Sequence, residues 1–196
     1  MKKSNINLKD ANLVYFPDFI SEAEADKLLE YLLENLSWRQ DKIKMFGKEV
    51  MQPRLTAFHG AKGLNYTYSG LKLHPEPFPE PMMDLKEKCE DAAKTEFNVC
   101  LANLYRDGKD SMGWHADDEK ELGNNPIIAS VSLGAERDFK LKHKKGLTAG
   151  HKIRLQHGSL LIMQGTTQEF WKHSLPKTAK TVNPRINLTF RKIYYE

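Results

Sequence analysis

Val99-Cys100-Leu101-Ala102-Asn103-Leu104-Tyr105 has a period of two: Val99, Leu101, Asn103 and Tyr105 fall on one side of an extended chain, and Cys100, Ala102 and Leu104 on the other. Successive side chains of a strand point to opposite faces, so the segment predicts a strand whose two faces meet different surroundings. Strand-like runs continue at Ile127 to Leu133, Asp138 to His143, Lys152 to Gln156, Ser159 to Met163 and Arg185 to Ile193, separated by turn signals such as Asp107-Gly108, Gly134, Gly146 and Gly165. Upstream the period changes. Ser21-Glu22-Ala23-Glu24 is a capping box, and after it Ala25, Leu28, Leu29, Leu32, Leu33 and Leu36 recur at helical spacing. Pro81 suits a first helical turn, and Met82, Leu85, Cys89, Ala92 and Ala93 carry a second helix to about Phe97. Helices followed by many short strands predict an α+β fold, with the N-terminal helices packed on an antiparallel sandwich or barrel.

The 196 residues, 40% hydrophobic and 29% charged, suit one unit with a real core and exclude a disordered chain. No apolar run exceeds four residues, as in Val99 to Ala102 and Leu160 to Met163, far short of the ~20 that a membrane-spanning helix needs. No apolar stretch follows Met1-Lys2-Lys3, which predicts a protein that stays inside the cell, cytoplasmic in a bacterium or nuclear in a eukaryote. Cys89 and Cys100 are then expected to be free thiols. Charge is unevenly spread: Arg137 to Arg154 holds seven Lys and Arg against one Asp, whereas Asp107 to Glu121 holds six acids against two Lys. The first segment suits a phosphate backbone and the second a cation.

His115-Ala116-Asp117 puts an imidazole and a carboxylate on one side of an extended segment, and His173 follows between Trp171 and Leu175. Two histidines and one carboxylate form the facial triad of non-haem Fe(II) oxygenases, which leaves metal positions open for co-substrate and O2. With seven histidines in the chain, the same spacing also fits a surface His-Asp pair and an unrelated His. In the last strand Arg185, Asn187, Thr189 and Arg191 share one face, and Ile186, Leu188 and Phe190 the other. The apolar set belongs in a core. Two guanidiniums flanking an amide suit a dicarboxylate, or else form a solvated basic face. At ~3.3 Å per residue the two arginines stand roughly 20 Å apart along the strand, so one small ligand meets both only if their side chains converge.

These segments occur in a familiar order: Asn103-Leu104-Tyr105 with Asp107-Gly108; His115-Ala116-Asp117-Asp118-Glu119; Ala129-Ser130-Val131-Ser132-Leu133-Gly134 with Arg137-Asp138-Phe139; His157-Gly158-Ser159-Leu160-Leu161; His173-Ser174-Leu175-Pro176; and Pro184-Arg185-Ile186-Asn187-Leu188-Thr189-Phe190-Arg191. In them the chain resembles the AlkB family of Fe(II)- and 2-oxoglutarate-dependent nucleic-acid demethylases. The resemblance implies a double-stranded β-helix, or jelly roll, over residues 99–196, with residues 1–98 supplying helical support and a nucleotide-recognition lid within one domain of 1–196. It implies Fe(II) held by His115, Asp117 and His173, and 2-oxoglutarate held by Asn103, Tyr105, Arg185, Asn187 and Arg191, with O2 as the second co-substrate. It implies a monomer that oxidatively demethylates 1-methyladenine and 3-methylcytosine in DNA, releasing formaldehyde. RNA demethylation and a non-catalytic nucleic-acid-binding module on the same fold are the alternatives.

The resemblance extends to nucleic-acid contacts. Tyr66-Thr67-Tyr68-Ser69-Gly70 resembles the family's recognition lid and Glu119 its acidic base-contacting residue, while Tyr66 and Tyr68 also fit an ordinary packed strand. Lys44-Met45-Phe46-Gly47-Lys48 looks like the finger of the double-strand-preferring homologues, with Phe46 filling the gap left by a flipped base and Arg54 nearby. A core hairpin with one buried Phe is the other reading. Lys140, Lys142, Lys144, Lys145, Lys152 and Arg154 form a basic stripe suited to phosphates. Two features depart from the pattern: Lys177-Thr178-Ala179-Lys180 is less basic than in the duplex specialists, and Trp114 stands immediately before His115, where a wall of the pocket is expected.

Overall fold

The computed structural model describes residues 2–45, 48–61, 66–68 and 71–194, with the backbone alone at 44–45, 48, 66–68 and 71–73. In chain order the elements are β1 (Ser4–Leu8), β2 (Ala11–Phe16), α1 (Glu22–Asn35), β3 (Lys42–Met45), β4 (Lys48–Met51), β5 (Leu55–Gly60), β6 (Tyr66–Tyr68), β7 (Leu71–Leu73), α2 (Glu80–Ala93), β8 (Val99–Tyr105), β9 (Met112–His115), β10 (Ile128–Gly134), β11 (Arg137–His143), β12 (His151–Leu155), β13 (Ser159–Gln164), α3 (Thr167–Phe170), β14 (Trp171–Leu175) and β15 (Arg185–Arg191). A seven-stranded sheet runs β1-β2-β13-β10-β15-β8-β5 and a four-stranded sheet β12-β11-β14-β9, with every pairing antiparallel. Two strands therefore precede the first helix, and β1, β2 and β5 from the N-terminal half are built into the larger sheet.

Alternation along β8 and β15 sorts the core into two layers. Cys100, Ala102, Leu104, Ile186, Leu188 and Phe190 belong to one apolar cluster with Ala25, Leu28 and Leu32 of α1 and Met82, Leu85, Cys89 and Ala93 of α2. Val99 and Leu101 belong to a second, with Phe139 and Leu141 of β11, Ile153 and Leu155 of β12 and Trp171 of β14. The second cluster lies between the two sheets, and that inner space also receives the polar ends of β8 and β15. Each fully buried Leu, Ile or Phe contributes roughly 1.5–3 kcal/mol, which makes a one-residue slip of either strand prohibitive because it would exchange the two faces.

Ser21 caps α1, its hydroxyl accepting from the Glu24 amide at 3.3 Å. The second helix is shorter than its spacing predicts. It stops at Ala93, because Lys94 adopts a left-handed conformation (φ 55°) and donates its N–H to the Glu90 carbonyl, which closes the last turn. Cys89 and Cys100 are buried, free thiols. Gly134 ends β10 at positive φ, where an added Cβ would run into the Pro184 carbonyl oxygen; this close approach lets the Ala135 amide donate to Pro184 at 3.1 Å and seats the start of β15. Among the described residues no helix is long and apolar enough to cross a membrane.

Candidate active site

Register brings the polar residues of β8 and β15 together: Arg185 lies opposite Tyr105, and Asn187 opposite Asn103. Opposed residues share a face, so these four groups and Arg191 point between the sheets. On the facing sheet β14 pairs with β9 through His173 and His115, and Asp117 follows two residues later. The eight residues expected to hold metal and co-substrate all line one cavity. Arg185 and Arg191 converge on it from the two ends of β15, so the length of the strand does not keep them from a common ligand.

Two imidazole nitrogens and a carboxylate oxygen meet in that cavity, within 4.8 Å of one another. The Nε2 atoms of His115 and His173 are 3.0 Å apart, and His173 Nε2 lies 3.7 Å from Asp117 Oδ2. His115 Nδ1 is 2.9 Å from the Gly113 carbonyl, which only accepts; Nδ1 therefore carries the proton and Nε2 turns a lone pair toward the site. Phe139 stacks on His173 with ring centres 5.1 Å apart, restraining its plane. The Asp117 amide donates to Gln168 Oε1 at 3.0 Å, and Asp117 Oδ1 accepts from Arg191 Nη2 at 2.6 Å.

These surroundings select the protonation states that a metal requires. Burial, with His115 beside it, lowers the His173 pKa to about 3. Burial lowers that of His115 too, against the pull of Asp117. For Asp117 burial acts upward, but Arg191 and the two histidines outweigh it and hold the carboxyl at about 2. At neutral pH the cluster is two neutral imidazoles and one carboxylate, a donor set for a divalent transition metal.

Arg185 is a buried cation. Its guanidinium is fully buried, Nη2 donates to Ser132 Oγ at 2.9 Å, and the Tyr105 ring centre lies 5.3 Å from Cζ. Nε has no hydrogen-bond partner, and no carboxylate among the described residues pairs with it. Burial and the neighbouring Arg137 lower its pKa to about 10, against the Tyr105 hydroxyl. A buried cation without a counter-charge calls for one from a ligand. Asn187 is held by Ser130 Oγ at 2.8 Å and the Val131 carbonyl at 2.9 Å, so its orientation is preset.

The nucleic-acid residues are distributed differently. Arg54 is buried and donates from Nε to Asn103 Oδ1 at 2.7 Å, which sets it against the polar end of β8. Glu119 is half-buried at the start of a short 3-10 turn over 120–122. Phe46 lies outside the described residues, as do the side chains of Tyr66 and Tyr68, whose backbones belong to the β6–β7 hairpin. The basic stripe is partly neutralised: Lys144 pairs with Asp118 at 2.9 Å, Lys152 with Asp138 at 3.6 Å, and Arg154 with Glu136 and Asp138 at 3.1 and 3.3 Å. Trp114 is not a wall of the cavity. It is 41% exposed, because adjacent strand residues face opposite ways and His115 takes the inward direction.

Sequence reading missed Ser130, Ser132 and Gln168. The serines alternate with Ala129, Val131 and Leu133, a signal that could have placed them opposite the apolar face; Gln168 sits in a four-residue helix whose sequence carries no comparable pattern.

A jelly roll enclosing a His-Asp-His cluster beside a buried arginine defines the class to which the comparisons also lead. The model of the 2OG-Fe(II) oxygenase superfamily matches residues 12–191. Human alpha-ketoglutarate-dependent dioxygenase alkB homolog 3 is 43% identical over 188 residues, covering 91% of this chain and 65% of the relative. Mouse DNA oxidative demethylase ALKBH2 is 43% identical over 183 residues, covering 88% of this chain and 76% of the relative. A solved structure of OsALKBH1 superimposes with a TM-score of 0.70 at 17% identity, covering 96% of this chain and all of that one, and so shares the fold. The chain belongs to the AlkB family of the 2OG-Fe(II) oxygenases. It spans about two thirds of the length of the alkB homolog 3 relatives. Fe(II) is the cofactor of this superfamily, and 2-oxoglutarate and O2 are its co-substrates; the donor cluster fits the metal and the buried Arg185 guanidinium fits 2-oxoglutarate.

Proposed function

We propose that this protein is an Fe(II)- and 2-oxoglutarate-dependent demethylase that repairs 1-methyladenine and 3-methylcytosine in DNA by direct reversal. The observation that carries the reading is the single cavity bounded by the His115-Asp117-His173 cluster and by Arg185, whose charge no carboxylate among the described residues answers. The name of the 43% identical ALKBH2 relative, a DNA oxidative demethylase, supports the choice of substrate. In this reading His115, Asp117 and His173 hold the iron. Asn103, Tyr105, Asn187 and Arg191 orient 2-oxoglutarate, and Arg185 takes its far carboxylate. Arg54, Glu119, Tyr66, Tyr68 and Phe46 face the nucleic acid. Residues 1–196 act as one unit, the two helices bracing the jelly roll, and the protein works inside the cell as a monomer.

The iron and its co-substrates supply the oxidation: 2-oxoglutarate and O2 become succinate and CO2, and the N-methyl carbon leaves as formaldehyde. The chain's part is positioning. The Gly113 carbonyl fixes the His115 tautomer, Arg191 keeps Asp117 ionised, and Ser130 presets Asn187. Apolar walls from Leu101, Phe139 and Leu175 keep bulk water from the reacting atoms.

The test is turnover with Fe(II), 2-oxoglutarate and O2 on matched single- and double-stranded DNA and RNA oligonucleotides carrying one methylated base. Loss of 14 Da coupled stoichiometrically to succinate is expected, strongest on DNA. Strongest turnover on RNA would replace the substrate, and neither product would leave a binding module.

A further inference from the structure

The outer face of the four-stranded sheet carries groups that the active site does not use. Lys140 and Lys142 of β11 and Lys172 of β14 are exposed there, and no Asp or Glu among the described residues pairs with them. Lys142 lies directly opposite Lys172 in the strand register, and Lys140 opposite Lys152. Like charges facing each other across strands destabilise a sheet, so this row opposes folding unless something else neutralises it. Trp114, on the edge strand β9, adds a large exposed ring to the same face, with the Lys142 ammonium 4.4 Å from its centre. An indole at the surface with one ammonium group against it and further lysines on the same face matches the two parts of a nucleotide, a flat base and a phosphate.

We infer that this face is a platform for single-stranded nucleic acid: nucleotides beyond the immediate neighbours of the target base pass over the β9 edge, one base stacks on Trp114, and Lys140, Lys142 and Lys172 meet the phosphates. A duplex does not fit, because a paired base has no free face to offer the indole. Trp114 and Lys172 each adjoin a residue of the donor cluster, His115 and His173, so the platform and the cavity are the two sides of one strand pair. The inference rests on the nucleic-acid reading above and adds a binding surface to it.

The test measures binding of the full chain to a fluorescent 16-nucleotide single strand and to a trinucleotide, each with a central 1-methyladenine, across a salt series. Lys140→Ala/Lys142→Ala/Lys172→Ala should lower the slope of log Kd against log salt on the 16-mer by about 2, at ~0.7 for each phosphate left without its lysine. Trp114→Ala should weaken the 16-mer roughly 5- to 150-fold, and Trp114→Phe should restore most of that. The trinucleotide should bind all variants alike. Unchanged 16-mer binding in both the lysine and Trp114→Ala variants overturns the platform, and so does an equal loss on the trinucleotide, which would place the effect at His115. If the unaltered protein binds no oligonucleotide at all, the nucleic-acid reading itself falls.

Discussion

Replacing Arg185 by Met should make the protein more stable and at the same time deprive it of 2-oxoglutarate. The guanidinium is buried beside Arg137, and its pKa falls from 12.5 to about 10. Its folded value lies below its unfolded one, so the charge opposes folding at every pH below about 10, by on the order of 3 kcal/mol. Its hydrogen bond to Ser132 at 2.9 Å returns part of that. With ~1 kcal/mol lost for the bond, the net gain from Met is about 2 kcal/mol. For a chain of this size that corresponds to a rise in Tm of roughly 4–8 °C. Affinity for 2-oxoglutarate should drop at least ~30-fold, the cost of removing one partner of a buried charge pair. The assay is thermal unfolding with and without 2-oxoglutarate, using Mn(II) in place of Fe(II) to prevent turnover, together with calorimetric titration. A variant that melts below the parent without ligand, yet gains as much from 2-oxoglutarate, would refute the account of Arg185 as a waiting counter-charge.

Three further outcomes follow from the cluster. Asp117→Asn and Asp117→Ala should both abolish turnover, and each, by taking away the carboxylate bonded to Arg191 at 2.6 Å, should cost about 3–5 kcal/mol in urea unfolding; parent-like stability of either variant would contradict this. Gln168→Leu removes the acceptor of the Asp117 amide and should weaken metal binding roughly 10- to 100-fold, read by competition with a chelating dye; parent-like affinity would show that Gln168 does not position the ligand. His173 stays neutral in the fold down to about pH 3, while an unfolded imidazole takes up a proton below ~6.5. The unfolded state then binds more protons, so the metal-free protein should lose stability as pH falls from 6.5 toward 3, by up to ~1.4 kcal/mol per pH unit from this residue. His115 adds in the same direction, and Asp117 adds to the loss below about pH 4. Equal unfolding free energies at pH 7 and 5.5 would exclude these states.

Alternation in Val99 to Tyr105 and Arg185 to Arg191 was enough to sort those strands' residues onto two faces, because a strand has only two and one of them must be apolar. The same local logic placed the start of α1 at Ser21. It overshot the end of α2, since nothing in the composition of Lys94 to Phe97 signals a left-handed cap. The contribution of β1, β2 and β5 to the large sheet was not legible either, because pairing with β13 and β8 joins segments far apart in the chain.

The identities of the donor residues lay in the order of the motifs, but their convergence came from long-range pairing. His115 meets His173 through β9 and β14, and Asn103 meets Asn187 through β8 and β15. Arg54, Ser132 and Gln168 gained their parts only from the neighbours that folding brought to them. Conversely, the basic stripe of the sequence was divided in space: Asp118, Glu136 and Asp138 neutralised Lys144, Lys152 and Arg154, while Lys172 and Trp114 joined Lys140 and Lys142. Residue type and alternation constrain which groups face a core or a ligand; distances, protonation states and counter-charges depend on partners remote in sequence, and those are set when the sheets close.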